Sequence, residues 1–262
     1  LSCYGNELVE TPNLDKMAEE GILFSTAYAS CPVCSPTRAA LLTGKNPVAV
    51  DITDYIPGKQ GARGPRPEEK FIVPEFNQEL PPEELTLAEI LKEYGYSTAS
   101  IGKWHLGGEG YLPTEQGFDE NIAGNHKGMP PSYHYPYTAE HFDFDITHLE
   151  LTEDSMYLTD RLGNEAVKFI DRKRDEPFFL YLPFYTVHTP WEGRPDLVRK
   201  YEEVISASDD TIQRDPQFLA MIESLDINVG KVVDAIENNG LTENTFVIFV
   251  SDNGGLYVQK GD

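Results

Sequence analysis

Cys34-Ser35-Pro36-Thr37-Arg38, running on into Ala39-Ala40-Leu41-Leu42-Thr43-Gly44, places a cysteine at the mouth of a short helix. Pro36 suits the first turn, where its missing N–H would have no partner in any case. Leu41 and Leu42 are expected to anchor this helix in the core, and Gly44 to end it in the left-handed conformation. Free backbone N–H groups and the positive end of the helix dipole would then surround the side chain at position 34, which makes an anion site. Arg38, one turn on, can reach back to the same spot.

Three other stretches carry groups of matching chemistry. Gly102-Lys103-Trp104-His105-Leu106-Gly107 follows an apolar run, Ser97 to Ile101. Lys103 and His105 are two apart, so extended backbone would point both the same way. An ammonium and an imidazole aimed into one cleft would hold a tetrahedral oxyanion. The bland alternative is a packed Trp104 between solvated polar neighbours. Val187-His188-Thr189-Pro190 follows the apolar run Phe178 to Phe184, and there His188 could serve as a general acid or an anion contact. Ser251-Asp252-Asn253-Gly254-Gly255 follows Thr245 to Val250. Asp252 and Asn253 offer hard oxygen ligands and the glycines allow close backbone approach, although Asp-Asn-Gly is also an ordinary turn. Cys31-Pro32-Val33-Cys34 is formally a CxxC, compatible with thiol redox chemistry or half a zinc site, but no second CxxC or histidine pair completes a zinc set.

The elements that must position these groups alternate. Thr11, as cap, and Pro12 open a helix through Glu20 with Leu14, Met17 and Ala18 on one face. Ile22 to Tyr28 reads as a strand leading to the cysteine turn. Thr86 to Tyr94 reads as a helix with Leu87, Ile90 and Leu91 inward, stopped by Gly95, and Ser97 to Ile101 as a short strand. Helices are expected over 155–174, 196–203 and 216–239. Phe178 to Phe184 and Thr245 to Val250 read as buried strands, hydrophobic without alternation, as in a parallel sheet covered on both faces. Residues 45–82, rich in Pro, Gly and charge, and 107–150, crowded with Tyr, His and Pro, are irregular and are expected to shape a pocket whose rings stack on sugar or aryl groups. The pattern is an α/β fold with a mainly parallel central sheet flanked by helices, and in such sheets ligands sit beyond the carboxyl ends of the strands.

Bulk composition narrows the function classes. The 262 residues suffice for one large domain or two small ones, and the net charge of −23 leaves no basic stripe for nucleic acid. An acidic surface repels anions, so an anionic substrate would need locally concentrated positive charge. No apolar run reaches the ~20 residues that cross a bilayer.

The motifs together resemble the sulfatase family, whose signature is Cys-x-Pro-x-Arg with Thr-Gly a few residues later. Thr37 stands where the family more often has serine. Further similarity lies in Thr11-Pro12-Asn13-Leu14-Asp15, Gly117-Phe118-Asp119 and Tyr157-Leu158-Thr159-Asp160. The resemblance implies an alkaline-phosphatase-like fold and hydrolysis of an aryl or carbohydrate sulfate monoester. It implies that a formylglycine-generating enzyme oxidises Cys34 to an aldehyde. Arg38, His105 and His188 would be catalytic with position 34, while Lys103 and His188 would bind the sulfate. The modified Cys34, Asp252 and Asn253 would bind Ca²⁺, with Mg²⁺ as the alternative. In the implied mechanism the hydrated aldehyde attacks sulfur, a histidine protonates the leaving alcohol, and elimination expels sulfate.

The family's metal site also uses an Asp-Asp pair after a first strand, which should precede Leu1. A further lysine is expected beyond Asp-Asn-Gly, and Lys260 stands too close to fill that place. Residues 1–262 are therefore expected to be a sulfatase catalytic domain truncated at both ends, without its first strand and C-terminal subdomain, and inactive as a fragment. A periplasmic or secreted location is the family's usual one. The competing readings are a phosphonate or phosphate ester hydrolase of the same superfamily, a non-catalytic sulfated-glycan binding protein, and a CxxC oxidoreductase.

Overall fold

A computed structural model describes residues 1–58, 70, 74–151, 156–207 and 215–255. In chain order the described residues form helices α1 (Pro12–Glu20), α2 (Cys34–Thr43), α3 (Pro47–Val50), α4 (Leu87–Glu93), α5 (Leu158–Lys173), α6 (Pro195–Ala207) and α7 (Pro216–Asn238). The strands are β1 (Ser97–Ile101), β2 (Glu120–Ile122) and β3 (Phe178–Tyr181). The chain divides into two compact units.

The unit built from Leu1–Ala27, Met129–Asp175 and Phe184–Val247 is helical, and α7 packs against α1, α5 and α6. Val9, Leu197, Val198, Tyr201, Leu219 and Ala220 form its apolar cluster. The cap of α1 differs from the expectation. Thr11 stands at the N-cap position, but its side chain makes no capping bond and instead meets Ser2 and Asp15. The fully buried Asp226 of α7 takes over, accepting from Leu14 N at 2.8 Å and Asn13 N at 3.2 Å, with Asn13 Nδ2 at 2.8 Å. A carboxylate on the free N–H groups of a helix start satisfies both the donors and the dipole.

The other unit, from Tyr28–Gly128, Glu176–Pro183 and Ile248–Asp262, holds a parallel sheet in the order β2-β1-β3. Ala99 lies opposite both Glu120 and Leu180, which sets the register. The strand at Ser97–Ile101 forms as expected, because both of its edges are paired and its last four residues are buried. Thr98 fixes the start: its Oγ1 donates to Gly117 O at 2.9 Å and accepts from Asp119 N at 2.9 Å. Gly117-Phe118-Asp119 is thus structural. Phe118 stacks on both Phe179 and Tyr181 and meets Trp104 edge-on, all within the main apolar cluster. Gly117 has φ 92° and its Cβ would strike Glu89, so no other residue fits there.

Several expected elements do not form. Ile22 to Tyr28 is irregular, with Ile22 81% and Tyr28 88% exposed. Thr245 to Val250 is also irregular, with Phe246 98% exposed. Apolar β-formers become strands only against a hydrogen-bonded neighbour, and neither segment has one among the described residues. β3 stops at Tyr181 and is half-buried, shorter and more open than expected. Leu41 is exposed while Arg38, Ala39 and Leu42 point inward, as helical spacing requires. Likewise α4 turns Ala88 to the core and leaves Leu87 and Ile90 exposed, its entry fixed by the Thr86–Glu89 capping box. Part of the 45–82 excursion and the start of the 155–174 helix lie outside the described residues, as does Lys260.

Candidate active site

Cys34 is the first residue of α2, and Gly44 ends the helix at φ 68°, as its sequence predicts. Thr37 secures the approach: its hydroxyl donates to Cys31 O at 3.0 Å and accepts from Cys31 N at 3.1 Å. The backbone turn before Cys34 is therefore tied to the helix it enters. Cys3, Cys31 and Cys34 are free thiols.

Lys103 leaves the carboxyl end of β1 directly after Gly102 and reaches this point. Its Nζ lies 3.1 Å from Cys34 Sγ, and the residue is 2% exposed. Burial first, and the Arg38 charge second, lower its pKa. Arg38 comes from the second turn of α2. Its Nε and Nη2 donate to Asp252 Oδ2 at 2.9 and 2.7 Å, and its Nη1 donates to Lys103 O at 2.7 Å. Burial works against its charge, but the Tyr181 oxygen and the Asp252 carboxylate outweigh that and its pKa rises. One guanidinium therefore fixes the Asp-Asn turn and the Lys103 backbone to the cysteine helix. The planar fork of arginine suits several acceptors at once where a lysine would meet one.

Asn253 follows Asp252, and its Nδ2 donates to Gly254 O at 2.9 Å. Its Oδ1 is buried with no hydrogen-bond partner among the described residues. A buried acceptor without a donor is costly, and a hard cation is one way to satisfy it. Beside the Asp252 carboxylate, this oxygen fits a Ca²⁺ or Mg²⁺ ligand set in chemistry. No group of three or more His, Cys, Asp or Glu side chains that could hold an ion occurs among the described residues.

The extended backbone expected between Lys103 and His105 does not form. His105 takes φ 60°, so the two-residue alternation fails. Its Nε2 meets Ile56 O, and a carbonyl only accepts, so Nε2 carries the proton. The ring is buried against Gly128, whose Cβ would overlap it. Ser35 braces the same place, donating to His105 O at 3.0 Å and accepting from Ile56 N at 3.1 Å.

His188 lies in the helical unit, in a turn where its N–H donates to Tyr185 O at 2.9 Å. Its Nδ1 lies 2.9 Å from Thr189 O, so Nδ1 carries the proton of the neutral ring. Of the motifs expected at strand ends, only the one holding Lys103 directly follows a strand among the described residues.

Sequence reasoning missed Tyr181, whose hydroxyl lies 3.5 Å from Arg38 Nη1, and Ser35. A tyrosine closing an apolar strand was the available signal for the first, since a buried phenol needs a polar partner. Nothing in the sequence marked the second.

A profile of the Sulfatase family matches residues 1–261. The chain belongs to the sulfatase family. It is 34% identical over 271 residues to an N-acetylgalactosamine-6-sulfatase of Canis lupus familiaris, covering 98% of this chain and 48% of that protein. It is 32% identical over 274 residues to an arylsulfatase of Hemicentrotus pulcherrimus, covering 97% of this chain and 44% of that one. The chain thus spans about half the length of the curated relatives it matches. Among solved structures, Ps i-CgsB in complex with k-i-k-neocarrahexaose matches with a TM-score of 0.70 and 28% identity, over 92% of this chain and 52% of that one. The α/β architecture with a parallel sheet expected from the sulfatase motifs is the one found. No helix among the described residues is long and apolar enough to cross a membrane.

Proposed function

We propose that the protein containing this chain hydrolyses sulfate monoesters, carbohydrate sulfates first and aryl sulfates second. The observation that carries the reading is the meeting of Lys103 Nζ with Cys34 Sγ at the start of α2, locked by Arg38 to Asp252. The substrate class is supported by the relatives named for N-acetylgalactosamine-6-sulfate and aryl sulfate, and by the neighbour bound to a neocarrahexaose.

In this reading a formylglycine-generating enzyme converts Cys34, and Sγ marks where the reacting oxygens would stand. The aldehyde supplies, when hydrated, an oxygen nucleophile and a route for releasing sulfate by elimination, which neither serine nor cysteine has. Asp252 and Asn253, with position 34, would hold Ca²⁺ or Mg²⁺, which supplies positive charge to the sulfate oxygens.

The chain's own residues do the rest. Lys103 presents its ammonium to one sulfate oxygen. A poorly solvated ammonium gains more from an arriving anion than one in water would. Arg38 orients both Lys103 and Asp252. The N–H groups at the start of α2 add partial positive charge. His105, held at Nε2 by Ile56, would meet the modified residue or the leaving group through Nδ1. His188, protonated at Nδ1, would hand the leaving alcohol a proton from Nε2 in its imidazolium form. Export to the periplasm or outside the cell belongs to the same reading.

The test is turnover by the full-length protein of sulfated monosaccharides, 4-nitrophenyl sulfate and the matching phosphate and phosphonate esters. Sulfate esters should be preferred, and Cys34→Ala should lose about a thousandfold in turnover with its fold intact. Normal turnover by that variant, or preference for phosphorus esters, overturns the reading. Mass spectrometry of the Cys34 peptide adds a second check, since conversion lowers its mass below that of cysteine. An unconverted peptide in a protein that binds sulfated glycans without cleaving them would make it a binding protein.

A further inference from the structure

We propose that Tyr133 is a positioning residue for His188, its hydroxyl closing both ends of the turn that carries the histidine. The inference rests on the sulfatase reading for what His188 does, though not for how it is held. Tyr133 is fully buried. Its hydroxyl lies 2.7 Å from Tyr185 O and 3.0 Å from His188 O. Those two residues are the ends of one four-residue turn, already joined by the bond from His188 N to Tyr185 O. A phenol has one proton, so the hydroxyl donates to either carbonyl in turn while touching both. Burial raises its pKa well above the ordinary value, so it stays a donor throughout the working pH range.

Tyr133 is itself held through its ring and its backbone N–H. Its ring stacks on Tyr157 at 5.7 Å and 24°. Its N–H donates to the Glu192 carboxylate at 2.8 Å, which also takes the Ser132 hydroxyl at 2.7 Å. Tyr157 then donates through its hydroxyl to Glu192 O at 2.7 Å. The loop from Tyr185 to Glu192 is thereby tied at both ends to one stacked aromatic pair. A further side-chain bond joins Thr186 to Thr159 on α5.

This fixation reaches the chemistry through the tautomer of His188. Donation from Nδ1 to Thr189 O places the transferable proton on Nε2, and that donation requires the turn to keep the ring and the Thr189 carbonyl in register. Removing the Tyr133 hydroxyl leaves the ring, the stack and the turn's own hydrogen bond in place. The fold should survive while the register loosens, and a small misplacement of a reacting group is costly.

The test is Tyr133→Phe in the full-length protein, with two readouts. In kinetics, two sulfate esters are compared, one with a nitrophenol leaving group and one with a sugar alcohol. A proton donor matters far more for the alcohol. The variant should lose about tenfold in kcat on the sugar sulfate, little on the nitrophenyl sulfate and little in KM. Combined with His188→Ala, it should add no further loss. In long-range ¹H–¹⁵N spectra of the imidazoles, the His188 signals should move from the single Nδ1–H tautomer toward a mixture. Wild-type kcat on both esters overturns the proposal. Equal losses on both with an unchanged His188 spectrum also overturn it, because Tyr133 is then only structural. If wild type cleaves no ester, the sulfatase reading fails, and the spectrum alone decides: a tautomer mixture supports the proposal and an unchanged spectrum sinks it.

Discussion

Arg38→Lys isolates what the guanidinium contributes beyond its charge. Arg38 is 5% exposed and makes three short bonds: two to Asp252 Oδ2 and one to Lys103 O. A lysine keeps the charge but brings a single donor head, which can serve one of these acceptors. Hydrogen bonds to charged groups contribute about 1.5–3 kcal/mol each, so losing two costs roughly 3–6 kcal/mol. Water can recover part of this, because the Asp252 side chain is 27% exposed, and the expected loss lies near the lower figure. Urea unfolding of the full-length protein, followed by far-UV circular dichroism at unchanged m, measures it. Turnover should fall about a hundredfold, because the Lys103 backbone and the Asp252 turn lose a common anchor. A variant within about 1 kcal/mol of wild type and within threefold in turnover would refute the claim that this fork assembles the site.

Two further outcomes follow from groups already placed. Asp226→Ala should cost about 3–5 kcal/mol, since three donors at the start of α1 lose a buried anionic acceptor, and hydrogen exchange should show α1 opening before the rest of its unit. A loss below about 1 kcal/mol, the value of an ordinary surface bond, would mean that water caps α1 as well as the carboxylate does. Added Ca²⁺ should raise the melting temperature of the full-length protein, and Asn253→Ala should shrink that rise, because the variant deletes a buried oxygen that lacks a donor. An undiminished rise in the variant would remove Asn253 from the ligand set.

The motifs were legible because they are local. Cys34 at a helix start with Gly44 past its end is written in eleven consecutive residues, and the structure repeats it. Ser97 to Ile101 was legible for the same reason, flanked by Gly95 and Gly102. What failed was whatever depended on a distant partner. Phe246 and Ile248 have every local mark of a buried strand, yet 98% and 81% of their surface is exposed, since a strand is a property of a pair. The cap of α1 is supplied from 213 residues away by Asp226, and no local rule could prefer it to Thr11. His105 shows a third kind of limit: its type and position were readable, but neither its positive φ nor the bond from its Nε2 to Ile56 O is written in the neighbouring residues.

The charge balance at Cys34 explains why a cation belongs in the proposal. The chain carries −23 overall, so attraction at long range works against a sulfate ester. At contact range, Arg38 is already neutralised by the Asp252 carboxylate. Among the described groups gathered at the cysteine, Lys103 is then the one positive charge left over, and burial lowers its pKa. One weakened ammonium must face a sulfate anion and the further negative charge that grows on the leaving oxygen. A divalent ion on Asp252 and Asn253 would reverse that balance: it would return net positive charge to the carboxylate side of the Arg38 pair and free the guanidinium field to act on the substrate. Arg38 and the cation would then work as complementary parts, the first setting the geometry and the second supplying the charge.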